Sequence, residues 1–413
     1  MTVRALYVHV PFCHAKCAYC DFDSCGLTGE RLTRAAGAYL AKLESRIDAF
    51  GASGALEDVE TVYIGGGTPT VLGEGLAALV AHIRRWCAPS ELTCEANPES
   101  FDEVLAQRLA AAGATRISLG VQSLDDDELR RIGRLHSARG ALAALERARR
   151  NGFTVSCDLM CGLPGQTGAS WRATLARTVE ARPDHVSVYP LTLEEGTPLA
   201  RRAERDPRLV PDEDFQASCM ETAASVLAGA GYARYEVASY ALPGRRCRHN
   251  CMYWTGAGYL GFGRSAAGML DGAAYLRLRR LFPGCEGDAP ARSVDPRDRV
   301  RLVQLDDAAE RFDFELLHER EALAEDLMLG MRMTDGVDRA LIARAAACMG
   351  DDAVDGVLRD VCAAGLAAWT DAPDGAASWR EHAPGARLVP AERGWLLGNE
   401  LYARFWDLAT EAS

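Results

Sequence analysis

The stretch VHVPFCHAKCAYCDFDSC, residues 8–25, places four cysteines within thirteen positions, directly after an apolar run that reads as a β-strand. Thiols so placed are a disulfide staple, a zinc cage or the cradle of a reactive cluster. A disulfide needs an oxidising compartment, and the N-terminal MTVRALYVHV lacks the apolar core and small-residue cleavage site of a secretory signal. Structural zinc normally takes two separated pairs of ligands, whereas Cys13, Cys17 and Cys20 form one compact C-x3-C-x2-C trio. A [4Fe–4S] cube suits the trio better, because a short loop can wrap three thiolates onto three corners. The fourth iron is then left for a small-molecule chelate. S-adenosylmethionine (SAM) fills such a corner with its amino and carboxylate groups, and one electron from the cluster cleaves its carbon–sulfur bond. Structural zinc stays as the alternative. Cys25 is extra to the trio and is read as an ordinary surface thiol.

The chain has 413 residues, room for one large domain and a smaller one. A net charge of −12 gives no basic footprint for nucleic acid. No apolar run reaches the roughly 18–20 residues of a membrane span. Fourteen cysteines without an export signal are expected to stay free or bind metal, and the expected location is the cytoplasm. Cys87, Cys94, Cys157, Cys161, Cys219, Cys348 and Cys362 fall in helical or strand patterns and are expected as small core residues.

From residue 3 to about 191, strand patterns at 4–10, 59–64, 92–96, 115–121, 154–161 and 185–191 alternate with helical ones near 31–50, 74–87, 101–112, 125–150 and 169–181. The strand segments are near-continuous runs of Val, Ile, Leu and Tyr, as parallel strands buried on both faces should be. Ser100 and Gly113 read as the caps of the third helix. Six βα units in a row predict an α/β fold, a partial (β/α)6 TIM-like barrel whose chemistry sits at the carboxyl ends of the strands. A helix about 212–230 and a strand in YARYEVASYALPG follow, and residues 241–268 read as loop. The Pro-, Gly- and charge-rich stretch 282–298 is the expected domain boundary. Helices near 319–331, 338–347 and 352–364 then make a smaller, mostly helical C-terminal domain. The expected division is 1–240 for the barrel, 241–298 for a loop region and linker, and 299–413 for the helical domain.

C-x3-C-x2-C after a first strand, with Tyr19 before the last cysteine, resembles the radical SAM superfamily. More narrowly, YVHVPFCHAKCAYCDF is similar to the oxygen-independent coproporphyrinogen III oxidase family. YIGGGTPT (63–70), CEANPE (94–99), ISLGVQS (117–123), GRLHS (133–137), DLMCGLPGQT (158–167), SVYPLTLEEGTPL (187–199) and EDLMLGMRMTDGV (325–337) continue that resemblance. It implies a [4Fe–4S] cluster on Cys13, Cys17 and Cys20, and SAM contacts from Tyr7, Tyr19, Gly67, Thr68, Glu95, Gln122, Arg134 and Asp158. Each also has a reading of its own. The glycines after strand two let backbone approach a ligand closely, and the polar residues stand at successive strand ends, where barrel sites form.

The decarboxylating oxidases usually carry a fourth cysteine where this chain has Phe22, which counts against that activity. A second motif, RCRHNCMYW (246–254), contains H-N-x-x-Y-W, which resembles the heme chaperones of the family. His249 is a candidate axial ligand for heme iron, with Tyr253 and Trp254 as flat apolar surface. Arg245, Arg246 and Arg248 could pair with propionates, and a buried structural histidine is the alternative. The resemblance thus implies a carrier of heme or another tetrapyrrole that serves apo-hemoprotein acceptors and draws on an electron donor. The rivals are coproporphyrinogen III decarboxylation and another radical SAM reaction on heme. Whether the chain is an enzyme stays open, as does a homodimer. GFGRSA (261–266) fits a dinucleotide template but opens no βαβ unit, and coincidence is the better reading.

Overall fold

The structure, a computed structural model, describes residues 2–282, 294–305, 311–371 and 378–410. Six strands lie side by side in chain order, every neighbouring pair parallel: β1 (Ala5–Val10), β2 (Thr61–Gly66), β3 (Glu91–Ala96), β4 (Arg116–Gln122), β5 (Thr154–Cys161) and β6 (His185–Pro190). Leu6, Val8 and Val10 on β1 and Val62 and Ile64 on β2 are fully buried. Helices packed outside and side chains packed inside cover both faces of these strands, as their near-continuous apolar runs require. The helices linking them are Gly29–Ala52, Glu74–Ile83, Glu103–Ala112, the pair Asp126–Arg131 and Ala138–Arg150, and Gly168–Ala181.

Three expectations are corrected. The helix expected at 125–150 is two helices, because Gly133 takes a left-handed φ of +77° and Ser137 starts the second by accepting the Gly140 N–H. The helix at 103–112 is capped not by Ser100 but by Asp102, whose carboxylate accepts the Leu105 N–H at 2.8 Å. Gly113 does close it, in the left-handed conformation. Residues 241–268 are not loop. They hold a helix at Arg248–Trp254 and part of the sheet.

After the short antiparallel pair β7 (Ala233–Arg234) and β8 (Ser239–Ala241), a seventh parallel strand, β9 (Tyr259–Phe262), joins β1 on the side away from β2. Antiparallel β10 (Ala267–Asp271), β11 (Arg299–Gln304) and β12 (Phe312–Leu317) extend that edge, giving the order β12-β11-β10-β9-β1-β2-β3-β4-β5-β6-β8-β7. GFGRSA is the end of β9 and the turn from it into β10. A Cβ on Gly261 would lie 2.1 Å from the Ala267 carbonyl oxygen, and Gly263 turns with φ +100°, so both glycines serve packing. The fold is α/β around a large, mainly parallel sheet, with a helical C-terminal region.

One core fills the sheet and its helices and includes Val300, Leu302 and Phe312 from the last strands. A second runs from Leu323 to Leu408 and packs the helices Glu319–Gly330, Arg339–Met349 and Asp351–Ala363 on a three-stranded sheet that the sequence did not announce. The expected boundary, 282–298, lies largely outside the described residues. Since β11 and β12 continue the large sheet, we propose the division near His318 rather than at 298. Most of the scattered cysteines are buried or partly buried as expected, but Cys348 is exposed.

Stacked cations join the two lobes. Arg332 lies between Trp254 and Tyr402, 5.1 and 4.5 Å from their ring centroids, and Arg234 lies between Tyr240 and Trp395 at 5.0 and 5.1 Å. Arg246 adds an ion pair with Asp335 at 2.8 Å. Arg332→Ala is expected to destabilise the protein by about 1–2 kcal/mol and to hasten proteolysis of the C-terminal lobe, read by urea denaturation and timed digestion.

Candidate functional site

A cavity of about 450 Å³ opens at the carboxyl ends of the parallel strands, where barrel sites belong. Cys13, Cys17 and Cys20 line one wall. Their loop is held at both ends. Phe12–Cys13 pairs with Cys25–Gly26, and the Leu27 N–H donates to the Cys13 carbonyl at 2.8 Å. The glycine-rich turn after β2 presses on it from below: Gly67 N–H donates to the Val10 carbonyl at 2.8 Å and Thr68 N–H to that of Phe12 at 2.7 Å. A Cβ on Gly67 would sit 2.6 Å from the Phe12 oxygen, so only glycine allows this approach.

A relay of side chains connects two of the thiols. The Thr68 hydroxyl donates to Cys13 Sγ at 3.4 Å, and Asn97 Nδ2 donates to the Thr68 hydroxyl at 3.0 Å. Arg134 Nη2 donates to Asn97 Oδ1 at 2.7 Å, and its Nη1 to Cys17 Sγ at 3.4 Å. The helix break at Gly133 lets Arg134 turn inward to do this. Asn97 was missed as a site residue, although it stands in the quoted CEANPE immediately after a strand end.

Farther in, Glu95 accepts the Tyr63 hydroxyl at 2.7 Å and the Gly66 N–H at 3.0 Å. Desolvation pushes its carboxyl up to about 7, with the Asp158 charge adding to the shift. Asp158 accepts from Ser118 at 2.8 Å and Ser156 at 3.2 Å, and burial raises its carboxyl as well. Gln122 has a left-handed φ of +64° where the β4–β5 register shifts, a strained backbone of the kind found at ligand sites. The cavity therefore gathers Tyr19, Gly67, Thr68, Glu95, Gln122, Arg134 and Asp158 from the expected set. Tyr7 does not line it. Its hydroxyl is 3.0 Å from His9 Nδ1, and His9 Nε2 meets the Asp23 carbonyl at 2.9 Å, so Tyr7 supports the cysteine loop from behind.

The expected heme residues are not brought to the cavity. His249 is 1% exposed and has both ring nitrogens engaged, Nδ1 with the Thr61 hydroxyl at 2.9 Å and Nε2 with the Tyr253 hydroxyl at 2.8 Å. Desolvation lowers its imidazole to about 3, so the ring is neutral. Trp254 is engaged by Arg332. Cys247 and Asn250, not His249, face the cavity from this motif. Arg245, Arg246 and Arg248 each have an acidic partner: Asp184, Asp335 and Glu60.

The sheet and the thiol trio define a class, and the profile of the radical SAM superfamily matches residues 7–177. The heme chaperone HemW of Bacillus subtilis is 30% identical over 412 residues, covering 98% of this chain and 99% of that protein. HemW of Mycobacterium tuberculosis (strain H37Rv) is 35% identical over 366 residues, 85% of this chain and 88% of its own. Coproporphyrinogen III oxidase (HemN) from Escherichia coli shares the fold, with a TM-score of 0.73 at 21% identity over 98% of this chain and 90% of that one. The chain belongs to the radical SAM superfamily and, within it, to the HemW family.

Membership implies a [4Fe–4S] cluster and SAM, and the residues present fit both. Three thiols share one wall, two already receive hydrogen-bond donors, and glycine backbone with two carboxylates lies beside them. When bound, the cluster supplies single electrons to the sulfonium. Asn97→Ala removes partners from both Thr68 and Arg134 and is expected to cost about 1–3 kcal/mol. Urea denaturation checks this, and iron per chain after anaerobic reconstitution should fall as well.

Proposed function

We propose that this chain holds a [4Fe–4S] cluster on Cys13, Cys17 and Cys20, binds SAM against the polar wall from Gly67 to Asp158, and carries heme to apo-hemoproteins in the cytoplasm. The observation that carries the proposal is the match to a protein named as a heme chaperone, which extends over 98% of this chain and 99% of that relative. The cavity supports the cofactor half. Its carboxylates suit an ammonium and ribose hydroxyls, and Arg134 suits a carboxylate. For heme, the exposed rings of Phe22 (59%) and Tyr189 (42%) at the cavity lip offer flat apolar surface. Iron ligation by His249 requires one of its two ring hydrogen bonds to open, and in this conformation neither nitrogen is available to iron.

The deciding experiment uses anaerobically reconstituted protein. With SAM, reductant and coproporphyrinogen III, no protoporphyrinogen is expected; a separate hemin titration should give a saturable Soret shift, and labelled heme should then appear in an apo-hemoprotein. Protoporphyrinogen formation, or hemin that never saturates, overturns the carrier reading. SAM affinity should also depend on pH. The carboxyl of Glu95 titrates near 7, and only its ionised form pairs with an ammonium, so protons compete below that value. Affinity is expected to rise with pH up to about 7 and then level, at most about tenfold per unit, with Glu95→Gln flattening the profile in equilibrium dialysis.

A further inference from the structure

We infer that His249 is a positioning residue for the Glu95 carboxylate, acting through the ring of Tyr63. The inference rests on the proposed contact of Glu95 with SAM. His249 lies on the helix Arg248–Trp254, whose first N–H groups are fixed by Glu91: Oε2 accepts from Arg248 at 3.1 Å and Oε1 from His249 at 2.9 Å. The imidazole is thus held by its backbone and by both nitrogens, a rigid block with no rotamer to spare. Thr61, one of its partners, opens β2, and Tyr63 follows two residues later on the same face. The Tyr63 ring stacks on the imidazole at 5.2 Å between centroids, with 30° between planes. The Tyr7 ring lies 6.3 Å from Tyr63.

The far end of Tyr63 is its hydroxyl, 2.7 Å from Glu95 Oε1. Both groups occupy a slot that exists only because residue 65 is glycine. A Cβ there would lie 2.9 Å from the Tyr63 ring and 3.0 Å from the Glu95 carboxylate. Removing the imidazole leaves a void into which the Tyr63 ring can tilt. Glu95 then loses one of its two hydrogen-bond donors and keeps only Gly66 N–H. A side chain buried away from the cavity therefore sets the aim of a carboxylate that faces it.

The test measures the SAM dissociation constant on anaerobically reconstituted protein of matched iron content, by equilibrium dialysis and by the change SAM makes in the EPR signal of the reduced cluster. His249→Ala and Tyr63→Phe are each expected to weaken SAM binding about tenfold, with the double variant no worse than either alone, because the two act through one contact. His249→Phe keeps a ring against Tyr63 and should recover most of the affinity. If His249→Ala does not fold, His249→Leu, which keeps apolar volume but offers Tyr63 no flat ring, takes its place in the cycle. Unchanged SAM affinity in His249→Ala, or additive losses in the double variant, overturns the inference while leaving Glu95 in place. Unchanged affinity in Glu95→Ala sinks the cofactor contact and the inference with it. A hemin Soret shift lost in His249→Ala with SAM affinity intact assigns the ring to iron and also refutes it.

Discussion

Two stretches of bare backbone, 10–13 and 66–68, lie against one another, and the rest of the site depends on that contact. Gly67 and Thr68 donate to the carbonyls of Val10 and Phe12, and no side chain fits between them. The contact joins the end of β1 to the end of β2 beyond the last sheet hydrogen bond. Cys13 is thereby placed under the Thr68 hydroxyl, and the cysteine loop gains a fixed floor. Each polar group farther around the cavity hangs from a later strand end, so the parallel sheet spaces the site and this one contact sets its depth.

The six central strands were legible because parallel strands buried on both faces are written as apolar runs, and the thiol trio because its spacing is compact. The seventh strand was not. TGAGYLGFGRSAAG is short and glycine-rich, and its glycines answer to a crossing chain that no local pattern reveals. The break at 132–137 was hidden for a similar reason: the flanking segments are both good helices, and the reason for the turn is Arg134, whose partners are Cys17 and Asn97, far off in sequence. In the second motif, neighbours in sequence part company in the fold. His249, Tyr253 and Trp254 are close in sequence and look like one pocket, yet helical geometry turns His249 toward β2, Trp254 toward the other lobe, and leaves Cys247 and Asn250 for the cavity.

Burial does opposite things at the two ends of one face of β2. Toward its carboxyl end, Glu95 and Asp158 lose water and hold their protons to higher pH, which readies them for a cationic or hydroxyl-bearing ligand that restores the lost solvation. Toward its amino end, beside Thr61, His249 loses water and its proton, becoming a neutral hydrogen-bonded spacer. The Tyr63 ring stands between the two, touching both.

The relay through Thr68, Asn97 and Arg134 also bears on electron affinity. Hydroxyl and guanidinium donors to sulfur draw negative charge off a thiolate-held metal centre and raise its reduction potential. Arg134 in addition donates to the Gly120 carbonyl, within the irregular segment that strains Gln122. The backbone beside Gln122 and the sulfur of Cys17 thus share one guanidinium, so the strand end that receives a ligand and the thiol loop are tied by a single side chain.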